Sequence, residues 1–308
     1  MTAQLAPVTA PPRKPSKSEK RRKAVGRGKR RSNLLTLVMW LSVLYFIVPL
    51  VWLFMSATKD NSDLFTTFGL WFGHDFNLFA NIHDVFTFQD GIYLRWTLNT
   101  IMYAGLSAIG ASLLATMAGY AFAKYRFPGD TALFSITLGA IMIPLTALAI
   151  PTYLLFSTAG ITNTPLAVIL PSLVSPFSVF LMRVYAADAI PDSLVEAARM
   201  DGAGEFRIFW QVGIRLLGPG IVTVMLFTLV ATWNNYFLPL IMLSSGELYP
   251  LTVGLAQQEA TSAAGGGAQA LFSTVITGSF VSIIPLIIAF LYLQRYWQSG
   301  LATGGVKD

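Results

Sequence analysis

The side chains able to act as acid, base, nucleophile or metal ligand are few, and their spacing builds no reactive constellation. There is no cysteine, which excludes thiolate nucleophiles, thiolate metal sites and disulfides. The two histidines, His74 and His83, lie in one polar stretch with no cysteine nearby. They could at most share a metal, and a loop surface is the simpler reading. Asp60, Asp63, His74 and Asp75 are scattered along that stretch without the spacing a membrane enzyme would need. A phosphate-cradling Gly-x-x-x-x-Gly-Lys-Ser/Thr loop is missing, because Gly265-Gly266-Gly267 has no following lysine. No catalytic, cofactor-binding or metal residue is therefore expected, and the chain is read as a non-enzyme.

Two other groups could recognise something. Between residues 187 and 218 runs Ile190-Pro191-Asp192-Ser193-Leu194-Val195-Glu196-Ala197-Ala198-Arg199-Met200-Asp201-Gly202. Ser193 with Glu196 three residues on has the capping-box pattern, and Gly202 can take the left-handed turn that closes a helix. A second helix is predicted from Glu205 through Phe206, Ile208, Phe209 and Trp210. The paired alanines, Ala197 and Ala198, permit close approach, and Glu196, Arg199 and Asp201 could form ion pairs across an interface. On the residues alone, a docking helix and a solvated loop helix capped by Glu196 stand level. Further on, Trp233, Asn234 and Asn235 offer a stacking ring and amides suited to sugar recognition or pathway lining. Packing is the plainer role for them.

The elements that must position these groups are membrane spans. Of the chain's residues 54% are hydrophobic and 12% charged, against roughly 25% charged for a soluble domain. Six apolar blocks are each long enough to cross a bilayer, which takes about 20 residues. They are residues 34–57, 99–123, 131–158, 165–186, 219–243 and 271–293. Five hold no Asp, Glu, Lys or Arg, and Arg183 sits at the end of the fourth. A proton- or sodium-coupled transporter would place an acid inside its spans, so that class is disfavoured.

Residues 1–33 carry eleven Lys or Arg, and eight more fall in the connections on the same side of the membrane, against Lys59 and Arg95 on the other. Both termini are expected to be cytoplasmic. The basic tail should be disordered. Beside a span it should hold topology and touch anionic lipid rather than nucleic acid. The first apolar run, 24 residues long, exceeds the roughly 7–15 of a signal-peptide core and is kept as a span.

Small residues recur every four positions in the second block: Ala104, Ala108, Ser112 and Thr116 in one row, Ala111, Ala115, Gly119 and Ala123 in another. Such rows let a second backbone approach closely, so this helix is expected at the centre of the bundle, packed or lining a pathway. Prolines 49, 144, 151, 171, 176, 239 and 285 predict kinks in most of the others.

The segment 190–204 resembles the cytoplasmic signature of ABC importer permeases: Glu-Ala-Ala, three residues, Gly, nine residues, then an apolar residue and a Leu-Pro-like end. Glu196, Ala197, Ala198, Gly202, Val212 and Ile214 match it. Arg215 replaces the closing proline, and Pro219 matches a second one further on. Asn99-Thr100, Gly119-Tyr120-Ala121-Phe122-Ala123, Trp233-Asn234-Asn235-Tyr236-Phe237 and Tyr249-Pro250-Leu251-Thr252-Val253-Gly254-Leu255 resemble the carbohydrate branch. The tail from Gln294 to Lys307 resembles that of the smaller six-span permease of the maltose-type system.

The resemblance implies an all-α, polytopic membrane protein of the type I ABC importer permease fold. Its divisions would be a tail at 1–33, a transmembrane domain at 34–294 with a coupling loop at 187–218 and an outer loop at 244–270, and a cytoplasmic tail at 295–308. It would sit in the bacterial plasma membrane and move a sugar, a di- or oligosaccharide, inward. Its partners would be a second, homologous permease, a dimeric ABC ATPase that holds the ATP and Mg, and an extracytoplasmic sugar-binding protein. Ser193, Glu196, Ala197, Ala198, Asp201 and Gly202 would form the coupling helix on the ATPase. Gly304, Gly305, Val306 and Lys307 would reach between the ATPase subunits. The outer connection, rich in Gly, Ala, Gln and Ser, would help strip sugar from the binding protein. A non-sugar importer of the same family is the alternative.

Overall fold

A computed structural model describes residues 32–263 and 271–304, with side chains to residue 296. Two compact units are distinguished, residues 1–50 and 51–308. In the first, the described residues are almost all one apolar helix, α1 (Asn33–Ala57), which continues into the second.

The rest, in chain order, is α2 (Asn61–Thr66), α3 (Leu78–Thr87), α4 (Ile92–Lys124), α5 (Asp130–Ile141), α6 (Leu145–Thr158), α7 (Pro165–Ser172) and α8 (Pro176–Ala189). Then follow α9 (Asp192–Met200), α10 (Glu205–Ile208), α11 (Ile214–Trp233), α12 (Phe237–Met242), α13 (Leu251–Ala263) and α14 (Phe272–Gly304). Among the described residues five helical stretches are long and apolar enough to cross a membrane, and a sixth would be the α5–α6 pair.

The small-residue rows do what their spacing predicts. Ala104, Ala108, Ser112 and Thr116, with Ala111 and Ala115, are all buried. On these faces α4 packs against both α8 and α11. The tightest point is Gly119, where a Cβ would stand 2.6 Å from the Met182 Cβ and 2.7 Å from the Arg183 backbone nitrogen. Only a residue without a side chain fits there.

Four expectations are corrected. The third span is two helices bent by 106°. Pro144 stands at the start of α6 with extended backbone (ψ 126°), where it supplies no N–H to the preceding turn and bars its neighbour Ile143 from helical geometry. The fifth span does not begin at Pro219. Helix runs from Glu205 through a π turn at Phe209–Gly213 to Trp233, with Pro219 inside it. Arg215, standing where the signature has proline, keeps its backbone N–H, and the helix passes through. Helix then stops short of residue 243, at Asn234, before the separate turn of α12.

In the segment read as an outer loop, the described residues 244–263 are not a loose loop: α13 buries Leu251, Val253, Gly254, Leu255, Gln258 and Ser262. Its small residues, which read as flexible, are what lets it lie close to α4. A Cβ at Gly254 would stand 2.2 Å from Trp96. Finally, helix does not end with the sixth block at residue 293 but runs on to Gly304. A helical glycine costs only about 1 kcal/mol relative to alanine, and no proline follows Pro285. Residues 305–308, including Gly305, Val306 and Lys307, lie outside the described residues.

Candidate functional site

The candidate site is built on α9, and its cap differs from the expected one. Pro191 stands at the N-cap position without a side-chain cap bond, and Asp192 begins the helix. Ser193 is therefore one position inside, and the Ser193–Glu196 capping box does not form. Fixation comes from α4 instead. Lys124, its side chain 4% exposed, donates from Nζ to the Ile190 carbonyl and, at 2.7 Å, to Asp192 Oδ1. This contact with the ammonium holds the Asp192 carboxyl below its ordinary range.

The far end closes as predicted. Gly202 has φ +78°, and a Cβ there would meet nothing. The Gly202 N–H donates to the Arg199 carbonyl at 2.9 Å, and the Ala203 N–H to that of Ala198 at 3.0 Å. These two bonds define a Schellman motif. Arg199 then grips Glu205 through Nε at 2.6 Å and a second guanidinium nitrogen at 3.3 Å, while Tyr125 donates to the same carboxylate at 2.9 Å. Arg199 is thus committed within the chain rather than free for a partner.

One face of α9 is anchored and the other is bare. Val195 is buried, and Ala198 and Ala203 pack on a core that joins Tyr120 of α4, Met182 and Ala186 of α8, and Phe209, Leu217 and Val224 from the π turn and α11. Burying a valine side chain contributes about 1.5–3 kcal/mol. Leu194 is 40%, Met200 88% and Phe206 72% exposed. Glu196, Ala197 and Asp201 are exposed beside them. The result is a short helix clamped to three membrane helices and presenting apolar side chains outward.

The opposite end of α4 is closed by a strap. Arg95 and Asn99 of α4 donate to the Glu247 carbonyl, Asn99 also to that of Tyr249, Trp96 to Gly246 and Tyr103 to Leu248. Thr100 Oγ1 accepts from the Leu251 N–H at 2.8 Å. Asn163, at φ +55°, accepts from the N–H groups of Ser244 and Ser245. The Asn235 carbonyl accepts from Thr252 Oγ1. Sequence blocks far apart in the chain are therefore the two sides of shared contacts.

Trp233 belongs to that packing, 7% exposed among Trp96, Tyr93 and Leu255. Asn235 is partly buried, and Asn234 is exposed. Of the three residues read as possible pathway lining, only Asn234 is open.

Four residues with structural work here were missed in the sequence: Lys124, Tyr125, Glu205 and Asn163. Lys124-Tyr125 at the C-terminal end of the small-residue helix was the available signal. The outer acids are also structural. Asp60 caps α2 by accepting from the Asp63 N–H, and Asp63 accepts from the His74 backbone and pairs with its ring at 2.6 Å. That pairing lowers the Asp63 carboxyl and raises the His74 imidazole from their ordinary values. Among the described residues no three metal-ligating side chains gather.

The fold is shared with a solved transporter. It matches a chain in the crystal structure of a bacterial ABC transporter involved in the import of the acidic polysaccharide alginate. The TM-score is 0.73, with 23% identity over 93% of this chain and 100% of that one. The fold is that of a type I ABC importer permease. The model of the family described as "binding-protein-dependent transport system inner membrane component" matches residues 111–300, and the chain belongs to that family. It is 33% identical over 274 residues to the arabinooligosaccharides transport system permease protein AraQ of Bacillus subtilis (strain 168), covering 89% of this chain and 95% of that protein. It is 28% identical over 273 residues to the lactose transport system permease protein LacG of Rhizobium radiobacter, covering 88% and 94%.

Proposed function

We propose that this chain is one of two permease subunits of an ATP-driven importer for a di- or oligosaccharide in a bacterial plasma membrane. A second, homologous permease completes the pathway. An ABC ATPase dimer beneath supplies the energy, and an extracytoplasmic binding protein delivers the sugar. Both termini face the cytoplasm, as the distribution of Lys and Arg favours. Glu196, Ala197 and Asp201, on the open side of α9, seat in a cleft of one ATPase subunit, Ala198 packs inward against the core, and Gly202 shapes the turn that follows. Ser193 lies at the helix start beside them. Closure of the ATPases on ATP moves α9, and its clamps to α4, α8 and α11 carry that movement to the spans as a rigid-body switch.

The observation that carries the reading is the helix fixed at both ends, with Leu194 and Met200 bare on it and Phe206 of α10 bare beyond its closing turn. Relatives named for arabinooligosaccharide, lactose and diacetylchitobiose systems support sugar as cargo. A relative named for osmoprotective compounds, 29% identical over 270 residues, favours the second reading, a small osmoprotectant. Uptake of radiolabelled substrates by a strain lacking this chain separates the two. The expected result is loss of uptake of one di- or oligosaccharide, restored by the intact chain. Unchanged uptake of every sugar, with loss of osmoprotectant uptake, would overturn the sugar reading.

A further inference from the structure

From α2 into α3 the chain carries six exposed aromatic side chains. Phe65 is 71%, Phe68 73%, Trp71 66% and Phe79 77% exposed, with Phe72 and Phe76 between them. The rings of Trp71, Phe72, Phe76 and Phe79 follow one another at 6.0–6.3 Å. No charged side chain occurs from Leu64 to Gly73. An apolar, Trp-containing surface of this kind on a water-exposed loop would be unusual.

Several polar groups of the same segment turn inward, while the His74 ring and Asp75 stay exposed. Lys59, 1% exposed, donates from Nζ to the Phe68 carbonyl at 2.8 Å. Asp63 sits beneath Gly73, where a Cβ would meet its carboxylate, and receives the His74 N–H. Asn81 donates to the carbonyls of Ala57 and Lys59.

The contacts of this surface fix its depth. Gly69 backs onto the Trp52 indole in the outer turns of α1, where a Cβ would stand 3.1 Å from Nε1. Phe65 packs edge-on to Phe272, the first residue of α14, at 5.4 Å. Asn61 Oδ1 accepts from the Ser273 N–H. The segment therefore wraps the outer ends of two membrane helices, and its rings continue their lipid-facing surface. Trp and other aromatic rings are favoured at that boundary, where an apolar body meets hydrated headgroups.

We infer that Phe65, Phe68, Trp71, Phe76 and Phe79 form an aromatic girdle seated in the outer headgroup layer of the bilayer. It anchors the outer ends of α1 and α14, so the segment is a membrane contact rather than a docking face for another protein. The inference rests on the membrane fold described above and is independent of the cargo.

The absence of cysteine allows a direct test in the full-length chain. Nitroxide labels are placed singly through Phe68→Cys and Phe79→Cys, with Ile288→Cys as a mid-helix control and Asp75→Cys as a water control. The protein is reconstituted in vesicles of phosphatidylethanolamine and phosphatidylglycerol, and collisions with oxygen and with a water-soluble nickel chelate are measured. The labels at 68 and 79 are expected to favour oxygen several-fold, as at 288, with the reverse at 75. Nickel access at 68 and 79 with a lipid-like 288 would overturn the girdle alone. Exclusion of both reagents on adding the binding protein and the other subunits would show a protein interface instead. A nickel-accessible 288 would overturn the girdle together with the membrane placement of α14.

Discussion

Replacing Gly119 by leucine is expected to remove most of the folded protein. The obstacle at this position is backbone: the added Cβ would meet the Arg183 nitrogen and the Met182 carbonyl carbon, each at 2.7 Å. Flexible side chains can turn aside, but two helix backbones can only separate. Separation would open the whole seam of buried small residues from Ala104 to Tyr120, and with it the core under α9. Overpacking in a well-filled interior costs typically 1–3 kcal/mol, and a seam that must part as a unit lies at or above the top of that range. The yield of monodisperse protein on gel filtration in detergent should fall several-fold. Gly105→Ala is the control, because a Cβ there meets nothing within 4 Å and the yield should not change.

The double substitution Met200→Asp with Phe206→Asp is expected to do the opposite, leaving the protein folded and stopping transport. Met200 is 88% and Phe206 72% exposed, so neither is held in the core. If they seat in an ATPase cleft, two buried carboxylates without partners would oppose binding by well over the 1.4 kcal/mol that corresponds to tenfold. Sugar uptake should fall at least tenfold, and the ATPase should no longer copurify, while the amount of permease in the membrane stays constant. Uptake at the parental rate would remove this face from the interface.

How much of this was legible in the sequence depended on how local the determining physics is. The four-residue rows on α4 were readable because helical spacing alone puts Ala104, Ala108, Ser112 and Thr116 on one face. The turn at Gly202 was readable because a left-handed residue after a helix is a local requirement. Capping was misread: Ser193 and Glu196 have the right spacing, but Pro191 sets the helix start, and the compensating contact comes from Lys124, distant in sequence.

Prolines were misjudged for a related reason. Pro144 and Pro219 both interrupt apolar runs, yet one marks a 106° bend and the other is absorbed within α11. Local composition does not distinguish them, since neighbouring helices decide whether freed backbone groups are satisfied. For α13, a stretch rich in small polar residues read as loop. Its helix is stabilised by contacts such as Gly254 on Trp96, which exist only once the fold has formed. Lys124-Tyr125 and Glu205 illustrate the same limit, because nothing local says that residues 80 apart will share a carboxylate.

The central claim is that α9 and its closing turn transmit ATP-driven closure to the spans, and Gly202 offers the most direct measurement. Its surroundings are empty, so a substitution there acts through φ alone. A β-branched residue at φ +78° is strained by about 1–2 kcal/mol, whereas asparagine tolerates that region. With the complete transporter in vesicles, ATP hydrolysis and sugar uptake are measured together for Gly202→Val and Gly202→Asn. The expected result is that Gly202→Val hydrolyses ATP with little uptake, or loses the ATPase altogether, while Gly202→Asn keeps most of the parental uptake per ATP. Full uptake per ATP in Gly202→Val would contradict a coupling role for this turn.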